Sequence, residues 1–233
     1  MRTFLMSMEP ERDPLLWKIR EEAERDRVPI IRPETEALLR TFLKMKDPDR
    51  ILEIGTAVGY SALYMLRHSA AEITTIENYG KRVRAARENF GRTPEGRRVR
   101  LVFGDAGEEL PKLEGSYPFI FMDAAKGQYL HFLPEIMRLL APGGILISDN
   151  VLQEGMILES HYLVSRRNRT IYKRMREYLW EITHNDALTT MLLPIGDGLA
   201  VSVRNHEAAG EPSCCGGRRW NETSGAVDSG GKP

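Results

Sequence analysis

Two short runs hold the residue types that could do chemistry together. Asp123-Ala124-Ala125-Lys126 follows the apolar run Pro118 to Met122, and Asp149-Asn150 closes the run Gly144 to Asp149. If both runs are parallel strands, their C-terminal ends share one edge of the sheet, and two carboxylates and a carboxamide converge there. An oxygen-only donor set without His or Cys suits a hard cation, Mg²⁺ first, with Ca²⁺ or Mn²⁺ as alternatives. Such an ion would hold an acceptor oxygen and lower its pKa, making it a nucleophile. Lys126 could then take up the proton, provided a neighbouring cation depresses its own pKa. The plainer reading makes Asp123 and Asp149 caps for the following helices and Lys126 a solvated charge.

A second set precedes these. Ile51-Leu52-Glu53-Ile54-Gly55-Thr56-Ala57-Val58-Gly59-Tyr60-Ser61 reads as a buried strand, a glycine turn and a helix start. Glycine permits the tight turn and a close ligand approach, and the helix N-terminus offers free N–H donors. The glycines stand four apart with Glu53 ahead of them, which is not the dinucleotide GxGxxG spacing. A carboxylate there would repel a pyrophosphate but could pair with a cationic amino-acid group. Glu77 ends the next strand 24 residues on, where an acid can accept both hydroxyls of a ribose. Gly104-Asp105-Ala106 follows the third, placed to meet an adenine edge. Each element alone could be a strand-turn-helix with surface acids; three at successive strand ends weaken that view.

These residues need a parallel sheet to bring them together, and the chain's patterning predicts one. Arg50 to Ile54, Glu72 to Glu77, Val99 to Phe103, Pro118 to Met122 and Gly144 to Asp149 are short, apolar and bounded by Gly, Asp or Pro. Helix-length segments lie between them; in Gln128 to Leu140, Tyr129, Leu133, Ile136 and Leu140 form one apolar face. Strand-helix alternation argues for an α/β fold, a parallel sheet with helices on both faces. Leu188 to Ile195 and Leu199 to Val203, separated by Gly196-Asp197-Gly198, read as a closing antiparallel hairpin, for seven strands in all. Two helical stretches, about Pro10 to Asp26 and Pro33 to Met45, precede the first strand and flank Val28-Pro29-Ile30-Ile31-Arg32-Pro33.

Composition bounds the rest. The 233 residues are 42% hydrophobic and 28% charged, enough to build a core, so whole-chain disorder and fibrous repeats are excluded. Thirty-three basic against thirty-three acidic side chains remove the argument for a globally basic nucleic-acid binder without excluding a basic patch. No apolar run approaches the roughly 18 residues of a membrane span, and Met1 to Met8 lacks a secretory core, so a soluble cytoplasmic protein with no membrane partner is expected. Cys214 and Cys215 are adjacent and are the only thiols, leaving none for a zinc site elsewhere. Residues Asn205 to Pro233 hold six glycines and few apolar residues, so a disordered tail (205–233) is expected after one domain (1–204, its N-terminal helices within 1–45).

The acceptor should be selected after the fifth strand, where loops overhang the acidic end. Arg166, Arg167, Arg169, Lys173, Arg174 and Arg176 occur there without an acid between them, and Tyr162, Tyr172, Tyr178 and Trp180 interleave or flank them. Phosphate-pairing charge beside stacking rings is what an unstacked RNA loop requires. Tyr172, Met175, Leu179 and Ile182 also follow helical spacing, which favours core contacts for those residues. A second basic stretch, Lys81 to Arg100, could extend an RNA-facing patch or be an exposed helix and loop.

Taken together, Glu53-Ile54-Gly55, Gly59-Tyr60-Ser61, Glu77, Gly104-Asp105-Ala106, Asp123-Ala124-Ala125-Lys126 and Ser148-Asp149-Asn150 resemble the cation-dependent O-methyltransferases, among them the caffeoyl-CoA and catechol enzymes, over roughly Val28 to Arg204. The resemblance implies a Rossmann-like class I methyltransferase fold and S-adenosylmethionine as methyl donor. Glu53, Gly55 and Thr56 would face its methionine end with Ser61 nearby, Glu77 would bind its ribose, and Asp105 and Ala106 would meet its adenine; Ile31 and Asp123 would also border the donor. Asp123, Asp149 and Asn150 match the divalent-metal ligands, and Lys126 matches the general base. The closing segment Pro194 to Ser202 resembles most the bacterial branch that methylates 5-hydroxyuridine at the tRNA wobble position. That branch implies the tRNA anticodon loop as partner, with Arg166, Arg167, Arg169, Lys173 and Arg174 facing it, and a homodimer. Plant enzymes usually carry an acid where Ala125 stands, which counts against a plant-type substrate. A small catechol or caffeoyl-CoA-like hydroxyl is the alternative acceptor. A non-catalytic RNA-associated module and a nicotinamide dehydrogenase are the rival classes.

Overall fold

The computed structural model describes residues 13–160 and 162–206. Strands β1 (Arg50–Ile54), β2 (Glu72–Glu77), β3 (Val99–Phe103), β4 (Tyr117–Met122), β5 (Leu140–Asp149), β6 (Leu188–Leu193) and β7 (Leu199–Arg204) form one sheet in the order β3-β2-β1-β4-β5-β7-β6. The first five are parallel, and β7 runs antiparallel to both β5 and β6. The order reverses direction between β1 and β4, and the crevice outside the strand ends at such a point is where open α/β sheets bind ligands.

Side-chain parity explains the layers. Ile51, Ile73, Phe119, Phe121, Ile145 and Ile147 face one core, built with helices α1 (Pro14–Arg25), α2 (Pro33–Lys46), α3 (Tyr60–His68) and α4 (Gly80–Gly91). Their neighbours Leu52, Ile54, Ile76, Ile120, Met122 and Leu146 face the other, built with α5 (Ala106–Glu109), α6 (Tyr129–Leu139) and α7 (Arg169–Thr183). Successive residues of a strand point to opposite faces, so a sheet covered on both sides needs apolar residues at nearly every position.

The expected strands β1, β2 and β3 match residue for residue, and the two expected N-terminal helices correspond to α1 and α2. Asp13 caps α1, its carboxylate accepting from Leu15 N and Leu16 N at 2.8 and 3.1 Å. Other boundaries shift: β4 starts one residue earlier than expected, β6 ends two residues earlier and β7 one later. Leu140, read as the last turn of a helix, opens β5 four residues before the expected Gly144. It pairs with Tyr117, the register then slips, and Phe119 pairs with Ile145. Pro142, which has no N–H, and Gly143, at φ +66°, fill the irregular stretch. At the other end, Asn205 N donates to Ala187 O at 2.8 Å, so hairpin bonding reaches one residue past Arg204. Residues 207–233, most of the expected tail, and Cys214-Cys215 lie outside the described residues. Among the described residues, no helix is long and apolar enough to cross a membrane.

Candidate active site

At the end of β1 the chain turns through Gly55 at φ +100°, where a side chain is strained in any case. A Cβ built there would sit 2.1 Å from the carbonyl oxygen of Asp123, so only glycine lets the turn lie against the end of β4. Gly55 N and Thr56 N both donate to Ile76 O, and Asp123 N donates to Ile54 O, stitching three strand ends together.

Glu53 lies beneath this turn, wholly buried, with one carboxylate oxygen accepting from the Ser61 hydroxyl and the other from Thr75. Burial pushes its carboxyl up to about 7, against the opposing pull of those two hydroxyls. It therefore does not form the cavity wall, as a direct partner for a cationic ligand group would; Ser61 stands on the wall in front of it. Glu77 is the converse case. It is aimed into the cavity, one oxygen accepting from Ala57 N and the other from Tyr79 N, each at 2.9 Å. Both oxygens keep a lone pair for an incoming hydroxyl while the backbone fixes their direction. Asp105 caps α5 by accepting from Gly107 N at 2.9 Å, and it lines the cavity together with Ala106.

The same cavity, about 1080 Å³, runs on to the acidic end, where Ile31, Gly55, Thr56, Asp123, Lys126, Asp149 and Asn150 all contribute to its lining. Asp149 is almost fully buried and accepts from Asn150 N at 2.7 Å. Burial and, after it, the nearby charge of Asp123 push its carboxyl up to about 7. Asn150 is held in the left-handed region at φ +55°, and its amide reaches Asp197 at 3.5 Å. Lys126 Nζ donates to Asp123 Oδ1 at 2.6 Å and to Tyr129 Oη at 2.9 Å. Among the described residues no group of three His, Cys, Asp or Glu side chains is placed to hold a metal. The expected triplet consists of two carboxylates and a carboxamide, and the mutual repulsion of the two acids is what a hard cation would relieve, so the donor set fits such an ion.

Sequence reasoning missed two residues that organise this end, Arg32 on the cavity wall and Tyr129 behind it. Arg32 pairs with Asp197 at 2.7 Å across a separation of 165 residues, joining the Val28–Pro33 segment to the hairpin turn over the acidic end. The Gly196-Asp197-Gly198 signal located the turn, but nothing local could reveal its distant partner. Tyr129, read only as part of an apolar helix face, carries a buried hydroxyl between Lys126, Met122 O and Asp149 O. Burial holds that phenol well above its usual range, so it keeps its proton.

The basic segment is arranged differently from the expectation. None of Arg166, Arg167, Arg169, Lys173 and Arg174 lines the cavity, whereas Asn168 and Ile171 among them do. Arg174 donates to Gly127 O at 3.0 Å, Arg176 to Ile157 O at 3.1 Å and Arg169 to Val164 O at 3.4 Å. Lys173 lies 4.0 Å from Glu177, while Arg166 and Arg167 are exposed. Tyr172 and Tyr178 are buried in the core, so these two rings cannot stack on a base; helical spacing put them on the inward face of α7. Trp180 is stacked on His184 at 3.5 Å, and Tyr162 is exposed. In the second basic stretch, Arg98 is spent on the carbonyls of Leu66, Ser69 and Ala71, and Arg92 on Glu22.

Comparison with known proteins agrees with this geometry. The O-methyltransferase family pattern matches residues 6–205. A solved structure from Staphylococcus aureus, provisionally named a caffeoyl-CoA O-methyltransferase, is 32% identical, covers 87% of this chain and 98% of its own, and superposes with a TM-score of 0.81. A Podospora anserina methyltransferase solved with S-adenosylhomocysteine bound is 26% identical over 88% of this chain and 96% of its own, with a TM-score of 0.78. A catechol O-methyltransferase of Niastella koreensis is 32% identical over 137 residues, 56% of this chain and 62% of its own.

Proposed function

The chain belongs to the O-methyltransferase family, and from that premise we propose that it methylates the 5-hydroxyl of 5-hydroxyuridine in a tRNA anticodon loop, using S-adenosylmethionine and a divalent cation, Mg²⁺ first. One observation carries the reaction class: Glu77 at one end and Asp123, Lys126, Asp149 and Asn150 at the other open into one continuous cavity of about 1080 Å³. That exceeds the roughly 300–1,000 Å³ of ordinary small-molecule sites, leaving room for a donor and an acceptor group side by side.

Glu77 would take the donor's ribose hydroxyls, Asp105 and Ala106 its adenine edge, and Ser61 with the Gly55-Thr56 turn its methionine end. The donor supplies a methyl group on a sulfonium sulfur; the acceptor oxygen forms the new bond to that carbon as the carbon–sulfur bond breaks, leaving S-adenosylhomocysteine. Asp123, Asp149 and Asn150 would hold the cation, which supplies a Lewis acid for the acceptor oxygen. Lys126, held on Asp123, would take up the acceptor's proton once its amine has lost its own proton to solvent. The enzyme's rate advantage would come from positioning donor and acceptor side by side rather than from covalent chemistry.

For the RNA acceptor, support comes from the exposed Arg166 and Arg167, which adjoin the cavity-lining Asn168 and Ile171, and from the resemblance of Pro194 to Ser202. The cytoplasm would be its compartment and a homodimer its assembly. The similarity to a catechol enzyme favours a second reading, a small vicinal hydroxyl acceptor. The deciding experiment incubates the enzyme, S-adenosylmethionine and Mg²⁺ with tRNA containing 5-hydroxyuridine, followed by mass spectrometry of the nucleosides. Conversion to 5-methoxyuridine is expected. Unchanged tRNA beside brisk methylation of a catechol would establish the second reading instead.

A further inference from the structure

The ladder between β4 and β5 ends at the pair Met122 and Ser148. Asp123 and Asp149 stand one position past it: Asp123 N is held by Ile54 O of β1 and Asp149 pairs with Leu199 of β7, but no ladder pair joins the two to each other. What spans that gap is the hydroxyl of Tyr129, the first residue of α6. It donates to Met122 O and Asp149 O, each 3.0 Å away, and accepts from Lys126 Nζ at 2.9 Å. Two carbonyl oxygens facing one point repel each other unless a donor lies between them, and here a single shared hydroxyl hydrogen is that donor. The ring is fully buried and packs edge-on against Tyr178 at 5.4 Å, so the oxygen is held in place from behind.

We infer that Tyr129 is a positioning residue for the reaction: its hydroxyl fixes the spacing of the two strand ends that carry Asp123 and Asp149 and holds the Lys126 ammonium on Asp123. This rests on the function proposed above. The Y129F variant keeps the ring and its packing but removes the oxygen, freeing Lys126 to leave Asp123.

The test follows methyl transfer and the ¹⁵N-lysine spectrum together. In the wild-type protein the Lys126 ammonium should give a sharp signal that exchanges slowly with water. In Y129F that signal should broaden to the behaviour of an exposed lysine, and kcat should fall by roughly 10–100-fold with the KM for S-adenosylmethionine nearly unchanged. Y178F serves as control, since it removes a buried hydroxyl bonded to Ser148 without touching Lys126; signal and kcat should both persist. A Y129F protein with wild-type signal and kcat would overturn the inference. A wild-type protein that methylates no acceptor, yet whose signal still depends on Tyr129, would defeat the proposed function and leave the positioning role standing. Should Y129F fail to fold, the wild-type spectrum decides alone: a Lys126 signal exchanging as fast as an exposed lysine's sinks the proposal.

Discussion

At the scale of single residues, the acids of this site divide by what their oxygens are doing. Glu77 has its carboxylate aimed by two backbone N–H groups and open to the cavity. Replacing it by Ala should raise the KM for S-adenosylmethionine by about 10–100-fold, the cost of roughly 1.4–2.8 kcal/mol of lost hydrogen bonding, with a much smaller change in kcat. Initial-rate kinetics over donor concentration measure this, and an unchanged KM would remove Glu77 from the donor site. Asp149 sits at the other end. In D149A, metal-stimulated turnover should vanish while calorimetric affinity for S-adenosylhomocysteine stays within about threefold, or 0.65 kcal/mol. Activity in D149A that EDTA leaves undiminished would count against a metal held there.

Glu53 makes a prediction about stability instead. Its carboxyl is raised to about 7 in the fold, mainly by burial, from the 4.5 of a free glutamic acid. Between those two values the folded state binds more protons than the unfolded one, so stability falls as pH rises through that window. In E53Q the loss should be absent. Urea midpoints of the two proteins should lie close together at pH 5 and separate by pH 8 by on the order of 2 kcal/mol in favour of the variant. Parallel profiles would show that Glu53 ionises in the fold as easily as in the unfolded chain.

At the scale of elements, the turn from β1 to α3 is where the fold has least freedom. Gly55 combines a positive φ with a backbone oxygen 2.1 Å from where a Cβ would be. G55A should therefore destabilise by more than about 2 kcal/mol, well beyond the usual range for a glycine-to-alanine change, because strain and a backbone clash add. Thermal melts decide this; a Tm near the wild-type value would show that the β1 and β4 ends can part at little cost. The glycine spacing in the sequence marked this turn, because only backbone conformation had to be inferred. The start of β5 was less legible, since Leu140 fits a helix face and a strand equally well by periodicity, and only its pairing with Tyr117 separates the two.

At the scale of the whole molecule, the even balance of charge conceals how the charges are used. Acids gather at the parallel strand ends, whereas Arg98, Arg174 and Arg176 are consumed as donors to loop carbonyls. The sheet closes with β7 and the bonds of Asn205, and the family match ends at residue 205. Truncation after His206 should accordingly leave Tm within about 2 °C of the full chain, a change below roughly 0.5 kcal/mol, and methyl transfer intact. A larger drop would assign residues 207–233 a part in holding the domain together.

The sequence by itself determined the strand-helix alternation, three strands to the residue, the closing hairpin, and which acids end which strands. Each depends on neighbours in the chain: alternation along a strand, a glycine at a turn, an acid after an apolar run. Only the tertiary structure decided that Glu53 lies under the cavity wall rather than on it. It alone showed Arg32 meeting Asp197, the rings of Tyr172 and Tyr178 spent on the core, and one tyrosine hydroxyl bridging two strand ends. These facts turn on which side of a packed surface a polar atom reaches. That is set by the three-dimensional competition for burial and hydrogen-bond partners, and local spacing carries no record of it.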